Sequence, residues 1–278
     1  MKVEVLLSNN FNLFSLDVLN IDFSNCVCVV IDVIRATSTI ATLFGVGAEK
    51  IIITRTKRQA LGLKKILGDY ILCGEEQGLP PRGFDFGNSP LELSNLDLRG
   101  KKIVLKTTNG TLSFFKSQGA RATFSLSILN MKSTLDCVIS YAEKNFCDIL
   151  FLCSGKEGNI AYDDVYTAGL AVKYLLTQPI RNLELIDSAK LVLSVCLSEK
   201  SIEDALEKSS SAISLKKIGL GRDIGFCSKL NNYNITGKLK IEKFKWENIS
   251  TGTEKVRDSQ ATQLLVLEPF SYSEQEPK

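Results

Sequence analysis

Histidine is absent from this 278-residue chain. A Ser-His-Asp triad, a histidine-bound metal and phosphohistidine chemistry are therefore excluded. Acid–base or nucleophilic work must fall to carboxylates, Lys, Cys, Tyr or metal-bound water. Oxygen ligands and a hard cation, magnesium or manganese, become the default metal chemistry. An excess of charge is missing too: 34 Lys and Arg face 31 Asp and Glu, for a net +3. No segment reads as a basic arm, so nucleic acid is not an expected partner. No apolar run reaches membrane-spanning length. The opening Met-Lys-Val-Glu-Val-Leu-Leu-Ser-Asn-Asn lacks the apolar stretch of a secretory signal. A cytoplasmic protein away from membranes is the expectation. Among the eight cysteines there is no Cys-x-x-Cys, and most sit in apolar runs such as Val27-Cys28-Val29-Val30. Cys26 and Cys28 share one strand face, as a metal pair could, but small buried side chains in a reducing compartment fit better than zinc.

What is present is ample core material, 44% hydrophobic, in a pattern that alternates apolar runs with helical segments. Residues 27–31 form a continuous apolar run, the mark of a strand buried on both faces. A polar turn at 35–39 leads into a helix over 40–44, and a strand begins at 51. The order recurs: strand 102–105, turn 107–111, helix 112–118, strand 122–126. Thr39 matches Thr111 and Gly47-Ala48 matches Gly119-Ala120, each at a separation of 72. A third unit has strand 148–152, turn 154–159 and a helix from about Asp163 to Leu176. This predicts an α/β fold of repeated strand–turn–helix units around a largely parallel or mixed sheet, layered αβα. The polar turns would then gather at the carboxyl ends of the strands. Residues 1–237 read as the α/β unit, with two repeated subdomains allowed, and 238–278 as a carboxyl-terminal extension ending in a disordered tail. A homo-oligomer is left open.

Chemistry-bearing residues concentrate in the turns and in the loop 73–90. That loop holds Glu75, Glu76, Asp85 and several Gly and Pro, with little that could form a core element. Thr107-Thr108-Asn109-Gly110-Thr111 opens a helix, where free N–H groups and the helix dipole can hold an anion. One N-cap would need one such residue, not five. Asp32 ends a strand where a metal ligand or nucleophile would stand, and Arg35 can grip an anion bidentately or pair with a buried Asp. Glu157 reads as a ligand, Asp163-Asp164 as a ligand pair or a helix cap, and Arg222-Asp223 as an anion clamp or a surface turn.

The runs Ile31-Asp-Val-Ile-Arg-Ala-Thr37, Gly74-Glu75 through Gly83-Phe-Asp-Phe-Gly-Asn-Ser-Pro90, Thr107-Thr-Asn-Gly-Thr111, Leu152-Cys-Ser-Gly-Lys-Glu-Gly158 with Asp163-Asp164-Val165, and Gly221-Arg-Asp-Ile-Gly-Phe-Cys227 resemble, in this order, the 2-phosphosulfolactate phosphatase family. The resemblance covers roughly residues 1–235 and implies a fold particular to that family. It implies a Mg²⁺-dependent phosphomonoesterase that makes sulfolactate on the route to coenzyme M. Its small anionic phosphorylated substrate would meet Arg35, Thr37, Asn88, Ser89, Thr107, Thr108, Asn109 and Gly110. Asp32, Glu75, Asp85 and Glu157 are the catalytic candidates, and Asp32, Glu75, Glu76 and Asp85 the metal candidates. Two departures bear on substrate identity: Glu76-Gln77 stand where the family commonly has Arg-Gly, and Leu112 where it often has Arg. Another phosphorylated hydroxy acid as substrate, or a non-catalytic anion-binding relative, are the alternatives. A haloacid-dehalogenase-type mechanism at Asp32 expects a second Asp where Ile34 stands.

Overall fold

The computed structural model describes residues 1–10, 22–244 and 262–271. After β1 (Lys2–Leu6), one repeat runs β2 (Cys26–Ile31), α1 (Ala36–Gly45), β3 (Lys50–Thr54), α2 (Lys57–Leu67), β4 (Ile71–Gly74). A short helix α3 (Pro90–Leu93) leads to a second repeat: β5 (Lys102–Lys106), α4 (Asn109–Lys116), β6 (Ala122–Leu126), α5 (Met131–Asn145), β7 (Asp148–Cys153). There follow α6 (Tyr162–Leu176), β8 (Glu184–Leu185), α7 (Asp187–Ser198), α8 (Ile202–Glu207), α9 (Ser210–Lys217), α10 (Arg222–Cys227), β9 (Thr236–Phe244) and β10 (Thr262–Phe270).

All ten strands join one sheet in the order β4-β5-β3-β10-β9-β6-β2-β7-β1-β8. The repeats exchange strands. The first strand of repeat two, β5, lies between β4 and β3 of repeat one, and β2 of repeat one lies between β6 and β7 of repeat two, all parallel. The antiparallel β9–β10 hairpin bridges the two blocks, β10 on β3 and β9 on β6. The turns after β4 and β7 also match. Glu76 bridges Leu79 and Lys156 bridges Asn159. Their central residues have φ of 53° at Gln77 and 85° at Gly78, and 52° at Glu157 and 79° at Gly158, the signature of type I′ turns.

Strand alternation sorts the core by face. Val27, Val29 and Ile31 pack under α5 and α6, while Cys26, Cys28 and Val30 face the opposite way. There they join Ile51, Ile53, Ile103 and Leu105 around Ile40, Leu43 and Phe114. Helices α1 and α4 therefore lie between the two blocks, and α2 covers the outer side of β3, β4 and β5 through Ala60 and Leu63. Each such buried aliphatic side chain contributes about 1.5–3 kcal/mol. The eight cysteines are buried, Cys26 and Cys28 among them as core side chains. No helix among the described residues is long and apolar enough to cross a membrane.

Three expectations change here. Residues 36–39 and 109–111 are first helical turns and not loops preceding them; the Thr37 and Ser38 hydroxyls bond back to the Asp32 and Val33 carbonyls and so do not obstruct the helix. Arg222-Asp223, read as an anion clamp or a surface turn, opens the helix α10. Position 238, read as the start of an extension, falls inside β9, and apolar 264–267 becomes the inner part of β10. The expected tail lies outside the described residues, apart from Ser271.

Candidate functional site

Asp32 follows the apolar strand β2 and sits where both repeats converge. Its Oδ1 accepts the Ala36 N–H at 3.2 Å, and the Gly110 backbone packs against the same carboxyl group, favouring its charged form. The first turns of α1 and α4 thus share one carboxylate at their electropositive ends. Gly110 permits the approach: a Cβ there would lie 2.6 Å from the Ala36 Cβ and 2.9 Å from Asp32 Oδ2. In pairing order the two parallel blocks run in opposite senses. Accumulated strand twist, about 20–25° per neighbour, turns the carboxyl ends of β2 and β5 toward each other.

Two further acids come from the start of α6. Asp164 accepts Val33 N–H through Oδ1 at 3.0 Å and Gly155 N–H through Oδ2 at 2.9 Å, tying the end of β2 to the turn after β7. Asp163 accepts the Ser211 hydroxyl at 3.2 Å. Burial pushes the Asp32 carboxyl up to about 7; the Ala36 N–H opposes this, and the negative charges of Asp163 and Glu75 add to it. Burial likewise raises Asp163 to about 6 and Asp164 well above the usual carboxylate range, Asp164 also through repulsion from Asp163 and Asp32. Such a cluster carries more negative charge than it can hold in the ionised form without a cation. The buried Arg35 does not neutralise it, because its guanidinium is paired with Asp223 at 2.8 Å.

Loop 73–90 lies on the same edge as α4. Glu75 Oε1 accepts Thr108 N–H at 2.9 Å and the Thr108 hydroxyl at 2.7 Å, while Oε2 accepts Gly78 N–H at 3.0 Å. Both oxygens are therefore engaged in holding the loop to the helix start. Lys106 adds a bond from Nζ to the Glu75 carbonyl at 2.6 Å. Across the opening, Asn109 Oδ1 accepts Glu157 N–H at 3.3 Å. Asn9, after β1, donates to the Asn109 carbonyl at 3.2 Å and the Ser113 hydroxyl at 2.9 Å. Glu157 is exposed, and its carboxylate has no partner among the described residues.

The structure thus gathers Asp32, Glu75, Thr108, Asn109, Gly110 and Glu157. It places other expected residues elsewhere. Asp85 is not brought to the site: its carboxylate accepts Leu72 N–H at 2.7 Å and pairs with Lys64 at 3.3 Å on the outer side of β4. Glu76 is largely exposed and 3.9 Å from Lys106. Arg35 donates to Asp223 and, at 2.7 Å, to the Gly78 carbonyl. Thr37 is buried and donates to the Asp32 carbonyl at 2.9 Å. Thr107, expected on an exposed turn, is buried with its hydroxyl 2.9 Å from that of Thr111. Ser89 donates to Asp223 at 2.6 Å. Asn88 is buried beside it, with no protein partner at Oδ1.

Lys106 and Asn9 are missing from the expected site, and the sequence leaves Asp163, Asp164 and Asp223 open between a site role and a structural one. Acidic pairs in a first helical turn usually serve the dipole, and only the contact with Val33 shows that Asp164 reaches across the sheet. Asn9 had a signal of the same kind as the other turns, a polar Ser-Asn-Asn closing an apolar strand.

Residues 16–242 match the family model for 2-phosphosulpholactate phosphatase. A protein of Deinococcus radiodurans named probable 2-phosphosulfolactate phosphatase is 34% identical over 214 residues, covering 77% of this chain and 87% of that protein. One of Carboxydothermus hydrogenoformans with the same name is 36% identical over 221 residues, 77% and 89% of the two chains. One of Thermus thermophilus, again so named, is 35% identical over 205 residues, 73% and 84%. With the family's model covering most of its length and these relatives 34–36% identical to it, this chain belongs to the 2-phosphosulfolactate phosphatase family.

Proposed function

We propose that the protein is a Mg²⁺-dependent phosphomonoesterase that releases phosphate from 2-phosphosulfolactate, giving sulfolactate for coenzyme M synthesis. One observation carries the reading: the starts of α1 and α4 converge on a buried carboxylate, Asp32, whose ionised form is opposed by the neighbouring acids Asp163 and Glu75. The names of the relatives supply the substrate.

The donor set fits a hard cation only in part. It is all oxygen, and burial leaves it over-charged. Among the described residues, however, no three His, Cys, Asp or Glu side chains form a ready cage. That suits magnesium, which keeps several waters and takes one or two carboxylates plus phosphate oxygens. Asp32 and Asp163, whose negative charges act on one another, would hold it, while Asp164 and Glu75 tie the surrounding turns together. Bound there, it offsets charge on the phosphoryl group and lowers the pKa of a coordinated water.

The protein's own groups do the positioning. Asn109, at the start of α4, presents N–H and side-chain donors to the phosphoryl oxygens, while Thr108 is held in place by Glu75. A water oxygen bonds to phosphorus as the ester P–O bond breaks; the water gives up one proton, and the leaving oxygen gains one to become the hydroxyl of sulfolactate. Glu157, with its unpartnered carboxylate over Asn109, moves that proton. Phosphate release from synthetic 2-phosphosulfolactate, compared with a panel of other phosphorylated hydroxy acids, tests the assignment. Turnover should be fastest on the sulfonate. Equal or faster turnover on a carboxylate analogue would move the assignment to that substrate, and tight binding with no hydrolysis would make the protein an anion sensor.

A further inference from the structure

Arg35 and Asp223 hold both ends of the acidic loop with one ion pair. The Arg35 guanidinium donates to Asp223 Oδ2 at 2.8 Å and to the Gly78 carbonyl at 2.7 Å. The other Asp223 oxygen accepts the Ser89 hydroxyl at 2.6 Å. Gly78 is the near end of the loop, Ser89 the far end. From Gly78 the chain of bonds continues through its N–H to Glu75 Oε2 and through Glu75 Oε1 to Thr108. Arg35 is also the residue before α1, three positions after Asp32. One pair therefore connects α10, α1, both ends of loop 78–89 and, through Glu75, the start of α4.

Packing alone does not account for it. Arg35 and Asp223 are both almost fully buried. Desolvating two charges costs several kcal/mol each, so hydrophobic residues of similar volume often serve stability as well or better. What such residues cannot do is fix a carbonyl and a hydroxyl at two ends of a loop. We propose that Arg35 and Asp223 are positioning residues, which set Glu75 and Thr108 against Asp32 and never touch the substrate. This rests on the phosphatase reading above for its kinetic consequence, but not for its structural one.

The test uses the full chain with Arg35→Ala and Asp223→Asn, the latter keeping an acceptor for Ser89. Two measurements are made: kcat and KM on 2-phosphosulfolactate, with and without guanidinium ion in the buffer, and amide hydrogen exchange. In Arg35→Ala, kcat should fall by about 100-fold or more while KM changes by less than about threefold, because the lost interaction is with the loop. Added guanidinium should restore at least about tenfold of that loss by refilling the cavity. Exchange should accelerate over residues 75–88 in both variants and stay slow in β2 and β7. A large rise in KM with kcat preserved would make Arg35 a substrate clamp and overturn the proposal. So would unchanged exchange in the loop. If Arg35→Ala fails to fold, Asp223→Asn carries the same readouts. If the wild-type protein hydrolyses no phosphate ester, the phosphatase reading fails and the exchange experiment still decides the positioning role.

Discussion

Asp32 and Gly110 belong to different repeats, 78 positions apart in sequence, yet the Gly110 backbone packs directly against the Asp32 carboxylate. A Cβ at position 110 would fall 2.9 Å from Asp32 Oδ2 and 2.6 Å from the Ala36 Cβ. Gly110→Ala should therefore push the two helix starts apart. Overpacking of this kind costs about 1–3 kcal/mol, and activity should fall much further than stability. Denaturant titration and phosphate release measure both. A variant with unchanged turnover would show that the two starts need not meet.

Stability without divalent cations should fall as pH rises. Free aspartate titrates near about 3.9, whereas Asp32 is raised to about 7 and Asp163 to about 6 in the folded protein. The folded state thus holds protons that the unfolded chain has already released. Their stabilising contribution is full below about pH 4 and is lost as pH passes through the folded values. Asp32→Asn, which cannot ionise, should flatten the decline and be more stable than wild type near neutral pH, while losing activity. Unfolding in EDTA between about pH 5 and about pH 8 gives the comparison. A slope that Asp32→Asn leaves unaltered contradicts the burial of an ionisable Asp32.

Glu157 is positioned by its backbone, through Asn109, and not by its carboxylate. Glu157→Gln should keep the turn and the substrate affinity and lose proton transfer. A drop in kcat of about 10²–10⁴-fold is the usual size of such an effect, with KM little changed. Steady-state kinetics decides it, and undiminished kcat assigns the proton elsewhere.

Truncation after residue 237 should abolish folding. It would remove most of β9 and all of β10, and with them Leu265 and Leu267 from the core between the blocks. The loss exposes β3 and the paired part of β6 as bare edges. Soluble expression and circular dichroism of the truncated chain check this. A folded, active fragment of 237 residues would contradict the hairpin's role as the bridge.

Much of this was legible in the sequence because one signal repeated. The 72-residue match between Thr39 and Thr111 marks two real repeats, β2–α1–β3 and β5–α4–β6. The exchange of strands between them was not legible, since each run is apolar whichever neighbour it pairs with. Residues 236–244 alternate like a surface strand, so their place in mid-sheet is visible only through their partners in β10 and β6. Of the acidic residues, Asp32 stood out because an uninterrupted apolar strand leads into it. Asp85 and Glu75 looked alike in a glycine-rich loop, and only the fold separates an anchor on β4 from a strut on α4. Arg35 carried two readings from the start, and Asp223, far along the chain, decides for the ion pair.

The central claim is that Asp32 and its acidic neighbours hold a catalytic magnesium ion for phosphate-ester hydrolysis. Phosphate release from 2-phosphosulfolactate by wild type and Asp32→Asn, each stripped with EDTA and titrated with Mg²⁺, tests it most directly. The account predicts saturable recovery of activity by Mg²⁺ in wild type and none in Asp32→Asn at any concentration. Full activity in EDTA, or equal recovery in the variant, would contradict it.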